Sequence, residues 1–103
     1  MEVLDYTPCR SVNAYKTVEN DRVVIITFEG MITLQGAGKE VWMHANGKTR
    51  IRDIIRILEE KNPGMNKDDC QNGVLKLLKQ LQTKGILIAN WDPLYKNELP
   101  QEI

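Results

Sequence analysis

Hydrophobic positions change their period once along this chain. Between residues 14 and 34 they alternate or run in short β-branched blocks, the mark of strands. Ala14–Val18 predicts a short strand, Glu19-Asn20-Asp21 a turn, and Arg22–Phe28 (RVVIITF) the strongest strand of the chain. Glu29-Gly30 predicts a tight hairpin connection, with Gly supplying the positive φ, and Met31–Leu34 a third short strand. Residues 1–13, which contain Pro8, predict an extended lead-in.

From Gly36 onward the period is helical. Ala37, Val41, Trp42 and Ala45 share a face of a short helix over 36–45, which Asn46-Gly47 stops. The clearest helix is Arg50–Lys61, with Ile51, Ile54, Ile55 and Leu58 at i, i+3, i+4 and i+7. Thr49 opens no capping box, because position 52 is Arg. Asn62-Pro63-Gly64 ends that helix. Asn66 then caps a third one running to about Lys84, with Asp68 and Asp69 in its first turn and Gly85 beyond it. Ile86–Ala89 predicts a final strand or extended segment, and 91–103, with two prolines, a loosely docked tail.

The expected fold is α+β: a three-stranded antiparallel sheet followed by a three-helix bundle, a winged helix-turn-helix-like order. Residues 1–90 form one domain and 91–103 a C-terminal tail. The core is expected to hold Trp42, Ile54, Leu58, Val74, Leu78 and Leu81. On the third helix Cys70, Val74, Leu77, Leu78 and Leu81 share the core face. Leu75 lies about 100° round from Val74, on a flank with Gln71, Leu78, Lys79 and Gln82. That flank is either a partly exposed Leu beside the core or one wall of a peptide groove.

Length and charge narrow the function. A chain of 103 residues buries roughly 65% of its unfolded surface, enough for one modest core and too little for two domains or a doubly wound nucleotide fold. Fourteen basic residues balance fourteen acidic ones. No whole-protein field therefore drives non-specific binding to nucleic acid or membrane. The balance is uneven along the chain: four basic against six acidic residues over 1–45, nine against five over 46–90, one against three over 91–103. The bias toward the helical half is what solvated helix faces produce.

Candidate chemistry is sparse. Cys9, Cys70 and His44 lack zinc-ligand spacing, so no metal or other cofactor is expected. The first residues show no basic-then-apolar signal, and the longest apolar run, Val23–Ile26, is far short of a membrane span. A cytoplasmic protein with reduced thiols is expected. Gly36-Ala37-Gly38-Lys39-Glu40 fails as a phosphate loop: position 33 is Thr and position 40 is Glu. Glu59-Glu60 reads as a solvated face. No nucleophile, base or acid pair emerges, so an enzyme is not expected.

The element order brings duplex DNA into question. A recognition helix places its N-terminal residues in the groove beside phosphates, and here that turn holds Asp68 and Asp69. The helix also has no Arg for bidentate guanine contacts. A winged-helix transcriptional regulator is therefore the alternative reading, and a small enzyme subunit without a peptide role a third.

A set of ordered motifs carries a resemblance. Ile32-Thr33-Leu34-Gln35 closes the hairpin, Val41-Trp42 and Gly47 follow, and Ile51–Leu58 forms an "Ile-x-x-Ile-Ile" helix. Val74, Leu77-Leu78, Leu81 and Gly85-Ile86-Leu87 end the pattern. Over roughly residues 8–90 the sequence resembles the PqqD-like family, also called RiPP recognition elements. Arg50 stands where the family usually has Thr or Ser, and the 91–103 tail is an addition. The resemblance implies a non-catalytic bacterial adaptor of natural-product biosynthesis. It would bind the leader of a ribosomally made precursor peptide and present it to a modifying enzyme, such as a radical-SAM enzyme, a protease or a cyclase. It implies that the leader adds as an antiparallel strand to the third strand, along Met31, Ile32, Thr33 and Leu34, and packs on the third helix. Gln71, Leu75, Leu78, Lys79 and Gln82 would then meet it. Neither nucleic acid nor membrane is an expected partner.

Overall fold

The computed structural model describes residues 2–11, 15–18, 22–27 and 30–91, with backbone alone for 15–18. The fold is α+β, with three helices and two small antiparallel sheets. One sheet has the order β2-β3-β4, formed by Tyr15–Val18, Arg22–Thr27 and Gly30–Leu34. The helices are α1 (Ala37–His44), α2 (Ile51–Lys61) and α3 (Lys67–Thr83).

The second sheet was not foreseen. It pairs β1 (Cys9–Arg10) with β5 (Leu87–Ile88), joining the two ends of the described chain. The lead-in is a strap rather than a free extended segment. A 3-10 turn at Val3–Asp5 packs on α2. Tyr6 O then accepts from Ile51 N (2.9 Å), Pro8 O from Gly47 N (2.9 Å) and Thr7 O from Trp91 N (2.8 Å). These are backbone bonds between segments distant in sequence, so no local period announces them.

Each strand and helix has a local reason. In β3, Val23 and Ile25 are fully buried and alternate with the exposed Ile26, as a half-buried strand requires. The register pairs Ile25 with Ile32 and Val23 with Leu34, so the apolar faces of β3 and β4 coincide. Gly30 (φ 132°), expected in the turn, instead pairs with Thr27 as the first residue of β4. Positions 28 and 29, like the expected turn at 19–21, lie outside the described residues.

Asn66 caps α3 as its sequence predicts, its Oδ1 accepting from Asp68 N (2.8 Å) and Asp69 N (3.2 Å). Gly36 precedes α1 and is not part of it; its φ of 55° suits glycine at the point where the chain turns from strand to helix. Trp42, Ile54, Leu58, Val74, Leu78 and Leu81 all lie in one buried cluster, and Cys70 joins it. Each such aliphatic side chain contributes about 1.5–3 kcal/mol by leaving water. One expected core position differs: Leu77 is only half-buried, because it stands, with the exposed Ala37, at the mouth of an opening in the helical layer.

Candidate functional site

Two features of the fold adjoin. The first is the edge of β4. One edge of this strand pairs with β3, and the other has no strand partner among the described residues. Its unpaired N–H and C=O groups offer a ladder to another chain. Met31 (74% exposed) and Thr33 point outward, whereas Ile32 is half-buried and Leu34 buried.

The second is an apolar pocket of about 220 Å³ between α1 and α3. Ala37, Gly38 and Val41 form one wall, Gly73 and Leu77 the other, with Leu58, Cys70 and Val74 as floor and Met65 and Asp69 at one end. The pocket meets the strand at Gly38. A Cβ built there would lie 3.6 Å from Leu34 Cδ2 and 3.8 Å from Leu77 Cδ2. Leu34, Gly38 and Leu77 thus converge where sheet and helices join.

This geometry divides the predicted residues. Met31, Ile32, Thr33 and Leu34 lie on β4 as expected. Leu78, expected both in the core and under a peptide, is fully buried, so only the core role is open to it. On a helix of 3.6 residues per turn, Leu75, Gln71 and Gln82 lie about 160° from the Leu77–Gly73 flank. Leu75 is half-buried against the core on its own side. The flank of α3 that meets Gly38 and Leu34 is therefore that of Leu77, not that of Leu75. Lys79 is exposed on the outer face of α3, with Lys76 and Lys84 beside it. None of these three lysines has a carboxylate partner among the described residues. Sequence reasoning missed Gly38, Gly73 and Leu77 as a site. The available signal was Gly73 itself, a helix-weakening residue midway along an otherwise regular helix.

The remaining charges serve the scaffold. Arg52 Nε donates to Asp5 Oδ1 at 2.7 Å and ties the 3-10 turn to α2. That hydrogen bond, with the Arg52 charge beside it, holds the Asp5 carboxyl below its ordinary range. Lys61 Nζ lies 3.0 Å from Glu40 Oε1 and links α2 to α1 beside the pocket. Burial pushes the Cys70 thiol up, with a smaller contribution from the Glu59 charge. Among the described residues no group of three or more His, Cys, Asp or Glu is arranged to hold a metal ion, and no helix is long and apolar enough to cross a membrane.

Comparison with family models gives a match. The model described as Coenzyme PQQ synthesis protein D (PqqD) matches residues 22–87. The matched span runs from the first residue of β3 to β5 and contains the β4 edge, all three helices and the whole pocket. Comparison with curated proteins and with solved structures returns no match.

Proposed function

The chain belongs to the PqqD family, and from that premise we propose that it is a non-catalytic adaptor of peptide-derived natural-product biosynthesis. It binds the leader of a ribosomally made precursor and presents the peptide to a modifying enzyme. The observation that carries this reading is the junction of an open strand edge with an apolar pocket, at Leu34, Gly38 and Leu77. An extended peptide added antiparallel to β4 gains backbone hydrogen bonds whatever its sequence. Alternate side chains then face the helices, where pockets confer specificity. The pocket's size agrees. At about 220 Å³ it falls below the ~300–1,000 Å³ of small-molecule sites and suits a single side chain.

In this reading 1–90 is the peptide-binding domain, its element order is that of a winged helix-turn-helix, and it acts in the cytoplasm. The modifying enzyme is of the radical-SAM, protease or cyclase kind. A DNA-binding role has Asp68 and Asp69 against it, both exposed at the start of α3, where a recognition helix meets phosphates.

The test is a titration with the synthetic leader of a precursor peptide encoded beside this protein, followed by amide NMR shifts. Shifts are expected along Gly30–Leu34 and on the Leu77 flank of α3. Thr33→Pro removes an N–H from the edge and weakens binding. Absence of binding, or shifts confined to α2, would overturn the reading. So would nanomolar, sequence-dependent binding of duplex DNA at physiological salt.

A further inference from the structure

We propose that the modifying enzyme docks, through an apolar patch of its own, on the outer face of the β2-β3-β4 sheet around Ile26 and Met31. A peptide strand on β4 completes that surface. The inference rests on the peptide-binding reading and adds how a loaded chain is told from an empty one.

An antiparallel sheet covered on one side normally alternates, with apolar residues inward and polar ones outward. In β3 the outward positions are apolar as well. Val23 and Ile25 face inward and join the buried cluster with Leu34 of β4. Outward stand Val24, half-buried, and Ile26, 52% exposed. The register pairs Ile26 with Met31, which is 74% exposed, and Val24 with Thr33. An unbroken apolar run such as Val23–Ile26 is the pattern of a strand covered on both faces. Among the described residues the helices cover only one. The composition of β3 is explained by what covers the other.

That face is small. Three strands of 4, 6 and 5 residues present roughly 240 Å², against the about 800 Å² that each partner gives to a stable interface. A second copy packed sheet to sheet is therefore not held by this face alone. The face is continuous, however, with the open edge of β4. Met31 and Thr33 stand on that edge strand and point outward. A strand added there puts alternate side chains outward beside them, about 4.5–5.5 Å away. The Ile26–Met31 and Val24–Thr33 rows each become one residue longer. The occupant that gains enough area is one that touches this chain and the bound peptide together. That is the position of the enzyme that acts on the peptide. Its contact is apolar, to match Val24, Ile26 and Met31, and it binds the loaded chain more tightly than the empty one.

The test uses the full chain, the synthetic leader and the modifying enzyme encoded beside this protein. Ile26 lies on β3, one strand away from the added peptide. Ile26→Lys is therefore expected to stay folded and to bind the leader within about twofold of wild type. In biolayer interferometry the enzyme is expected to bind loaded wild type at least about tenfold more tightly than empty wild type. Reciprocity then requires the enzyme to tighten leader binding by the same factor. Ile26→Lys should lose at least about tenfold in enzyme affinity for the loaded chain. Ile26→Thr, a good strand former, should lose less in the same direction and replaces it if Lys disturbs the sheet. Equal enzyme affinity for wild type and the Ile26 variants, or for loaded and empty wild type, would overturn the docking face and leave the leader site standing. Loss of leader binding in a folded Ile26→Lys would give the face to the peptide and overturn the proposal. A concentration-dependent dimer lost in Ile26→Lys would give it to a second copy, with the same consequence. A wild-type chain that binds no leader would overturn the peptide-binding reading itself.

Discussion

The Arg10 guanidinium lies over the Trp42 indole, 5.9 Å from the ring centroid, and its Nη1 donates to the Trp42 carbonyl at 2.8 Å. The same Nη1 reaches Met43 O at 2.9 Å. One side chain from the N-terminal strap thus meets the carbonyl end of α1, where a cation suits the helix dipole, and covers the largest buried side chain. Arg10→Ala should lower stability by about 1–3 kcal/mol, the size of a charge-assisted hydrogen bond with its stacking. Arg10→Lys should fall between, keeping the charge but losing the planar contact. Urea denaturation of the three proteins checks the order.

Gly47 is constrained twice. Its φ of 77° lies in the left-handed region, and a Cβ there would meet Trp91 Cδ1 at 2.8 Å and Cys9 Sγ at 3.4 Å. Gly47→Ala should therefore cost at least about 1–2 kcal/mol from the backbone alone. The Trp91 contact adds to that. In a Trp91→Ala background the Trp91 contact disappears, while the backbone part and the contact with Cys9 Sγ remain, so the substitution should cost less there. Thermal unfolding of the four proteins separates the two contributions.

Much of this fold was legible because its signals are local. The spacing of Ile51, Ile54, Ile55 and Leu58 dictates α2, and all four are buried. Asn66 announces its own cap. The strap was illegible because Cys9–Arg10 pairs with Leu87–Ile88 through backbone bonds, in strands of two residues that carry no period. The site was half legible. The helical wheel places Leu75 and Leu77 on opposite flanks of α3, but which flank faces the sheet depends on how α3 packs beside α1, and no periodicity within one helix encodes that.

The two thiols should differ in reactivity. Cys70 is 4% exposed and Cys9 half-buried. Burial raises the Cys70 thiol above the usual value of about 8.5, so less thiolate exists at any given pH. The neutral thiol is favoured in the folded state. The associated stability is therefore fully present below the unfolded thiol's pKa and is lost as pH rises through the folded one. Iodoacetamide at pH 8 should alkylate Cys9 first, with Cys70 following only in urea or at higher pH. Intact-mass time courses on wild type and Cys9→Ser decide it; rapid native labelling of Cys70 in Cys9→Ser would contradict its burial.

The choice between the flanks of α3 has a direct test. Leu75 and Leu77 are both half-buried leucines on one helix, so their substitutions differ little in helix propensity or in cost to the core. They differ in surroundings: Leu77 faces Gly38 across from Leu34, and Leu75 lies about 160° away. If a peptide strand on β4 packs against α3, Leu77→Glu puts a carboxylate where an apolar side chain must dock. An unpaired charge under an apolar anchor should weaken binding by about a hundredfold or more. Leu75→Glu should leave the affinity within about threefold of wild type, the scale of a change outside the contact. Calorimetric titration of each folded variant with one leader peptide ranks them. The reverse order, with Leu75→Glu the damaging change, would move the groove to the other side of α3 and away from the β4 edge.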